Sequence, residues 1–196
     1  MNSVLVNWNN SPEELASLAQ DSNIKVRIAV ARNNYTSIET LHYLSNDTRH
    51  EVRLGVATNQ NTQEDTLYGL LYDRSSYVRI SVARNENTSS RTLNIMSSDE
   101  DFAVRLYVAQ NKNASQETLK QLSYDEDIST RCNVAENPST SVETLDRLAY
   151  DTRVAVRLAV TLNRNTTIET LNKLSKDEMS SVSSSAEQIL RGRYNG

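Results

Sequence analysis

The sequence predicts an all-α protein, a right-handed α-solenoid of seven 26-residue repeats, each a pair of short helices. Three observations carry this. Asparagine recurs at Asn7, Asn33, Asn59, Asn85, Asn111, Asn137 and Asn163, with no insertion between them. Each repeat contains two apolar residues three apart, from Leu15/Leu18 to Leu171/Leu174, which is helical spacing and not the alternation of a strand. A second apolar segment, V-R-x-x-V-A, follows in the same frame. A fixed period of this length marks an array whose units bury their apolar faces only by stacking on one another. One continuous domain is expected over residues 1–196, with a stub at 1–6, repeats at 7–176 and a C-terminal capping helix and tail at 177–196.

The first helix of each unit, helix A, has a start signal. Thr36-Ser37-Ile38-Glu39 matches the capping box S/T-x-x-E, in which hydroxyl and carboxylate each satisfy an orphan amide of the first turn. Thr140/Glu143 and Thr166/Glu169 repeat it, and Thr62/Asp65 and Asn10/Glu13 are variants. Ala114 breaks it, at an expected cost of about 1 kcal/mol. Helix A then buries its pair, Leu41 and Leu44 in the second unit, with Ile38 beside them.

An aspartate opens a short turn in every unit, from Asp21 to Asp177, and helix B follows. Val26 and Val30 face one way and Ile28 and Ala31 the other, so helix B is expected to be packed on two sides. The asparagine two residues past Ala31 is expected to end it in the left-handed conformation that asparagine tolerates. Either helix is short enough to be partly 3₁₀. Stacked at about 8–10 Å per element, the units should build a curved rod.

The ends depart from the frame. Val4 stands where Val30 does, so residues 1–6 read as the remnant of a helix B, and Trp8 as a cover for the first apolar face. The weakness of that cover leaves room for end-to-end self-association. Ser183 replaces the expected arginine, and Ser184 and Ser185 dilute the apolar face of the last helix. That helix reads as a polar cap running through Leu190, followed by a mobile tail, RGRYNG.

Composition narrows the function classes. Hydrophobic residues make up 37% of the chain, enough for a two-layer core, while four Gly and two Pro are few for a protein rich in tight β-turns. A net charge of −4 gives no bulk support for a polyanion partner. One cysteine, Cys132, excludes an intramolecular disulfide framework and a multi-cysteine metal site. The opening MNSVLVNWNN lacks the basic region and apolar run of a signal peptide, and no apolar stretch approaches the ~20 residues of a membrane span. A soluble, cytoplasmic protein with no membrane partner is expected.

The frame V-R-x-x-V-A-x-N-P-x-T-x-x-x-x-L-x-x-L-A-x-D resembles the leucine-rich repeat variant family. It is clearest from Val134 to Asp151, the one unit that keeps the proline, Pro138; Thr130 departs from it, replacing the valine before Arg131. The resemblance covers residues 7 to about 182. It implies an all-helical right-handed solenoid related in style to HEAT and armadillo arrays, with no common enzymatic activity. The cysteine-rich iron–sulfur domain of the family's best-known form has no counterpart here, so no cofactor is implied.

The most regular charged series pairs Asp21/Arg27, Asp47/Arg53, Asp73/Arg79, Asp99/Arg105, Asp125/Arg131 and Asp151/Arg157. Six arginines along an array can track a phosphate backbone. They can equally form a structural ladder in which each Arg donates to the aspartate that begins its own helix B. Constancy favours the ladder, because recognition surfaces vary from unit to unit.

The arc that varies on helix B is expected at the positions of residues 25, 29 and 32. It reads Lys25, Ala29, Arg32; Glu51, Gly55, Thr58; Tyr77, Ser81, Arg84; Ala103, Tyr107, Gln110; Ser129, Asn133, Glu136; and Ala155, Ala159, Leu162. Two tyrosines beside Arg84 and Gln110 suit a protein interface. The expected function is therefore a non-enzymatic protein–protein interaction scaffold, with nucleic-acid binding through the arginine row as the alternative.

Three smaller features complete the inventory. Glu100, Asp101, Glu126 and Asp127 form an acidic turn patch, left over once the ladder takes Asp99 and Asp125, able to dock a basic segment or hold a cation loosely. No EF-hand spacing accompanies it. Tyr72, Tyr124 and Tyr150 share one helix A position and are expected to pack as an outer row. His42 and His50 have no metal or acid–base motif around them, and Cys132 stands at the apolar position of Ile28, as a small core residue.

Overall fold

The computed structural model describes residues 10–194. Residues 1–6, Trp8 and the last two residues, to which the sequence assigned a stub, a cover and part of a tail, lie outside that range. Within it the chain is all-α, seven helix pairs in a solenoid. The A helices are α1 (Pro12–Leu18), α3 (Ile38–Leu44), α5 (Glu64–Leu70), α7 (Ser90–Met96), α9 (Gln116–Leu122), α11 (Val142–Leu148) and α13 (Ile168–Leu174). The B helices are α2 (Ile24–Ala31), α4 (His50–Thr58), α6 (Ser76–Arg84), α8 (Phe102–Gln110), α10 (Ile128–Glu136), α12 (Val154–Leu162) and α14 (Ser180–Tyr194). Both kinds are α-helices, and no 3₁₀ segment occurs among the described residues.

The chain divides into two compact units, one ending at Thr92 and the other starting at Leu93, inside α7. In the first unit α2 packs on α4 and α4 on α6; in the second α8 packs on α10, α10 on α12 and α12 on α14. Seven-residue helices are too short to persist alone in water, so burial holds them. The first leucine of every A pair is fully buried, from Leu15 to Leu171, and helix B adds Val30, Val56, Val82, Val108, Val134 and Val160. Ile38, expected beside them, is 47% exposed.

Helix A starts one residue later than the capping-box reading placed it. Ser37 is the N-cap of α3, extended at φ −67° and ψ 158°, and its hydroxyl accepts from the Thr40 amide. Ser115, Ser141 and Thr167 do the same for α9, α11 and α13. Only α1 is shown with the reciprocal box, Ser11 with Glu14. The buried Thr36 hydroxyl instead donates to the Val30 carbonyl at 2.6 Å, closing the preceding helix B. Thr62, Thr88, Thr140 and Thr166 repeat this bond. Ala114 therefore removes that bond and leaves the cap of α9 intact, since Ser115 supplies it.

Asparagine also acts differently from expectation. No described residue has a positive φ, and Asn59, Asn85 and Asn137 end helix B in extended conformation, Asn137 at φ −65° and ψ 127°. The side chain is what the position needs. Asn137 Nδ2 donates to the carbonyls of Ala109 and Asn111 in the preceding repeat, at 2.7 and 3.0 Å, while Oδ1 accepts from the Ser139 amide at 2.9 Å. Asn59, Asn85 and Asn163 make the same three bonds. A buried carbonyl without a donor is costly, so this amide ladder stitches successive repeats together within each unit.

The last helix closes the second unit. Its own Val182 and Ala186 are fully buried, and α14 packs on both α12 and α13. Of the expected mobile tail, Arg191, Gly192 and Arg193 belong to this helix. Asn165 donates to the carbonyls of Pro138 and Thr140. One period later, where no further asparagine exists, Arg193 donates to the equivalent carbonyls of Arg164 and Thr166, at 3.1 and 2.6 Å. The guanidinium thus takes the acceptors that a following repeat would take.

Candidate functional site

Position 27 of the frame lies between buried valines, which turns its arginine toward the turn that precedes helix B. Arg27 Nη1 donates to the Asp21 backbone carbonyl at 2.8 Å, and Nε and Nη2 straddle the Asp47 carboxylate of the next repeat at 2.6 and 3.3 Å. The carboxylate partner is thus twenty residues ahead, not the aspartate that begins the same helix. That aspartate contributes its carbonyl, because its own carboxylate is turned back to receive the amide two residues on. Arg53 repeats the arrangement with Asp47 and Asp73. In the second unit Arg105 takes Asp99 and Asp125, Arg131 takes Asp125 and Asp151, and Arg157 takes Asp151 and Asp177. Arg79 is buried, with Nη1 on the Asp73 carbonyl at 2.9 Å.

These side chains are largely out of water, the paired arginines 10–16% exposed and their carboxylates 4–9%. Burial pushes the Asp47, Asp73 and Asp151 carboxyls up, but the guanidinium and a backbone amide outweigh it and hold each below the usual carboxylate range. For Asp177 the Arg157 hydrogen bond is the largest influence, in the same direction. The hydrogen bond to the carboxylate raises Arg27, Arg53, Arg105, Arg131 and Arg157 above the ordinary guanidinium value.

The outer face of helix B is displaced from the expected arc. Position 32 is exposed in every repeat, at Arg32, Thr58, Arg84, Gln110, Glu136 and Leu162. Position 25 is exposed at Lys25, Tyr77, Ser129 and Ala155 and half-buried at Glu51 and Ala103. Position 29 lies in the seam between neighbouring B helices: Gly55, Ser81 and Ala159 are buried, and Tyr107 and Asn133 half-buried. A Cβ on Gly55 would come 2.8 Å from the Ala31 Cβ, so α2 and α4 touch backbone to side chain there. Tyr77, by contrast, is 68% exposed.

What opens instead is position 28, which the sequence reading placed in the core. Ile28, Leu54, Ile80, Leu106, Cys132 and Leu158 are all half-buried, so helix B is covered on one side and open on the other. Position 24, one turn earlier on the same side, holds Ile24, His50 and Ser76 in the first unit and Phe102, Ile128 and Val154 in the second. Its change from His to Phe was a readable sign of an open position. Cys132 belongs to this open row, and burial pushes its thiol up from the ordinary value.

The two units dress the same rows differently. In the first, Lys25, Arg32, Arg49, Arg74 and Arg84 stand exposed around the face, and a cleft of about 460 Å³ is lined by Thr58, Gln60, Ser81, Arg84 and Asn87. In the second, position 24 is apolar throughout, at Phe102, Ile128 and Val154, Leu162 is 61% exposed, and the turns before α8 and α10 are acidic. Of the four carboxylates in that turn patch, two have structural work: Asp101 caps α8 through the Ala103 amide and Asp127 caps α10 through the Thr130 amide. Glu126, 90% exposed, comes within 3.5 Å of Arg105. No group of three or more His, Cys, Asp or Glu able to hold a metal ion occurs among the described residues.

On the helix A side, tyrosines meet cations from the following repeat. The Arg147 guanidinium lies 3.9 Å from the Tyr124 ring centre, and Lys173 sits over Tyr150. Burial lowers both cations below their usual values. His42 meets the Thr66 hydroxyl at 3.1 Å, and His50 lies 3.3 Å from Glu51. No described helix is long and apolar enough to cross a membrane.

Comparison with known proteins agrees with this architecture. The Escherichia coli protein YibA is 15% identical over 94% of this chain and 93% of its own, with a TM-score of 0.54, a likeness of fold alone. A solved leucine-rich repeat variant with a novel repetitive structural motif is 24% identical over 91% of this chain and 82% of its own, at a TM-score of 0.46. An archaeal HEAT-like repeats protein from Thermococcus onnurineus NA1 is 13% identical over 94% and 100%, also at 0.46. No curated protein matches the chain. The sequence model of the family described as leucine rich repeat variant matches residues 102–127, one full repeat running from α8 to the turn before α10, and the frame of that repeat recurs at 26-residue steps from residue 24 to residue 179, which is the resemblance read from the sequence.

Proposed function

We propose that the chain is a non-enzymatic scaffold that binds another protein along the open face of its B helices. One observation carries this reading. The residues fixed by the 26-residue period turn inward and spend their hydrogen-bonding capacity on the neighbouring repeat, as Asn137 and Arg131 do. The outer rows at positions 24, 25 and 32 change from repeat to repeat around a mostly aliphatic row at position 28, and leave aromatic and aliphatic side chains in water. Such side chains give a partner area to bury around a few anchors.

The arginine row lends no support to a nucleic-acid reading. Five of its guanidiniums grip a carboxylate with two nitrogens and a carbonyl with a third, so their charge is already answered within the fold. A gel-shift at low salt should show no retardation of duplex or single-stranded nucleic acid.

The test of the scaffold reading is capture from the native host read by quantitative mass spectrometry. Two double variants, Tyr77→Ala with Arg84→Ala and Phe102→Ala with Glu136→Ala, address the two units separately. Each should keep its circular dichroism spectrum, and at least one should lose a partner that the wild type retains. Undiminished capture by both would remove the assignment of this face.

A further inference from the structure

We propose that the helix B face of the second unit is the docking site for a basic, amphipathic helical segment of another protein. This rests on the scaffold reading and adds the chemistry of the partner. Packing of α8 on α10 and of α10 on α12 sets three parallel helices side by side. Positions 24 and 28 are one turn apart, so Phe102 and Leu106, then Ile128 and Cys132, line one strip of surface. Leu158 and, one turn on, Leu162 extend it across α12. Phe102 is 55% exposed and Leu162 61%. Apolar side chains contiguous across three helices are more than a scatter of single surface hydrophobes, and such patches mark interaction sites.

The fringe of this strip says what covers it. Asp101 and Asp127, each one residue before the strip begins on its helix, hold caps there and carry negative charge. Glu126 is 90% exposed beside them, and Glu136 lies exposed one turn beyond Cys132. Arg153, at the start of α12, is the cation that interrupts them. An anionic lipid surface would be repelled, whereas a segment with lysine or arginine along the edge of an apolar stripe matches both features. Helices packed about 10 Å apart place α8 and α12 about 20 Å from each other. A bound helix of about 14 residues spans that distance.

The equivalent rows of the first unit hold Ile24, Ile28, His50, Leu54, Ser76 and Ile80, with Lys25, Arg32 and Arg84 at their fringe, and serve as the internal control for charge. The experiment uses the whole chain and two labelled 18-residue amphipathic helices, one of leucine and lysine, the other of leucine and glutamate, with binding read by fluorescence anisotropy. The lysine peptide should bind and the glutamate peptide should not. Glu126→Lys with Glu136→Lys should weaken the lysine peptide about tenfold, and Phe102→Ser with Leu162→Ser should weaken it at least as much. Lys25→Glu with Arg84→Glu should change little. Cys132, the chain's one cysteine, provides the location: bound peptide should slow its alkylation.

Equal binding of both peptides, or a lysine peptide that leaves Cys132 alkylation unchanged, overturns the proposal. So does a self-associated chain that Glu126→Lys dissociates, which would give the face to a second copy. Failure of the lysine peptide alone leaves the scaffold reading standing if the host-capture experiment still shows a partner lost from this face. Loss of no partner in that experiment removes both.

Discussion

The two units share an interior and differ at the surface. Asn59 in the first and Asn137 in the second make the same three bonds, and Arg53 and Arg131 grip their aspartates in the same way. On the open side of helix B the first unit offers Lys25, Arg32 and Arg84 around His50 and Ser76, and the second offers Glu126 and Glu136 around Phe102 and Ile128. The contrast teaches that this frame separates holding from contacting. Positions that satisfy a neighbour's backbone cannot change without loss, and exposed positions around the open face can reverse their charge between the units.

The sharpest way to break that comparison is to cut one rung in each unit. Asp47→Ala and Asp151→Ala each strand an arginine that is no more than 16% exposed, and each should cost about 3 kcal/mol, the lower end for breaking a buried pair. Chemical denaturation should return similar losses for both. A loss confined to one variant would mean that the interiors are not equivalent.

Next in size is the amide ladder. Asn137→Gly should destabilise by roughly 2 kcal/mol, because two carbonyls of the preceding repeat lose their donor. Had the position required a left-handed backbone, glycine would have stabilised it. Asn137→Asp keeps the acceptor that caps Ser139 but sets a carboxylate against those carbonyls, and should melt lower still.

Acid should weaken both units together. The folded carboxyls of Asp47, Asp73, Asp151 and Asp177 are depressed. Their contribution is therefore complete above the unfolded value of about 4 and is lost as pH falls through the lower folded values. Thermal melts should be level from about pH 7 to 5 and fall steeply below about 4.

Two smaller effects sharpen the surface half of the comparison. Gly69→Ala, where a Cβ meets nothing within 4 Å, should stabilise by about 0.5–1 kcal/mol, whereas Gly55→Ala should destabilise through its clash with Ala31. Charge reversal at Lys25 or Glu136 should shift stability by less than about 0.5 kcal/mol while altering what the face binds.

Much of this was legible in the sequence, and the failures share a cause. Periodicity announced the helices, the buried leucine pairs and the importance of Asn, Asp and Arg, because each recurs at a fixed offset. It did not say which repeat a side chain answers to. Arg27 was paired with the aspartate six residues back, since nearby residues are what one unit displays, whereas its carboxylate partner is supplied by the next unit. Thr36 was taken for a cap for the same reason, when its hydroxyl closes the helix behind it. The apolar residues at position 28 lie opposite Val26 and Val30 on a helical wheel, which reads as a second buried side. In the structure that side is the open one, and of the expected arc position 29 is drawn into the seam while 25 and 32 stay largely exposed.

The closing helix carries a further lesson. Because Arg193 donates to the carbonyls of Arg164 and Thr166, the loop after α12 is held by a cation where Asn87 and Asn165 hold the equivalent loops with a neutral amide.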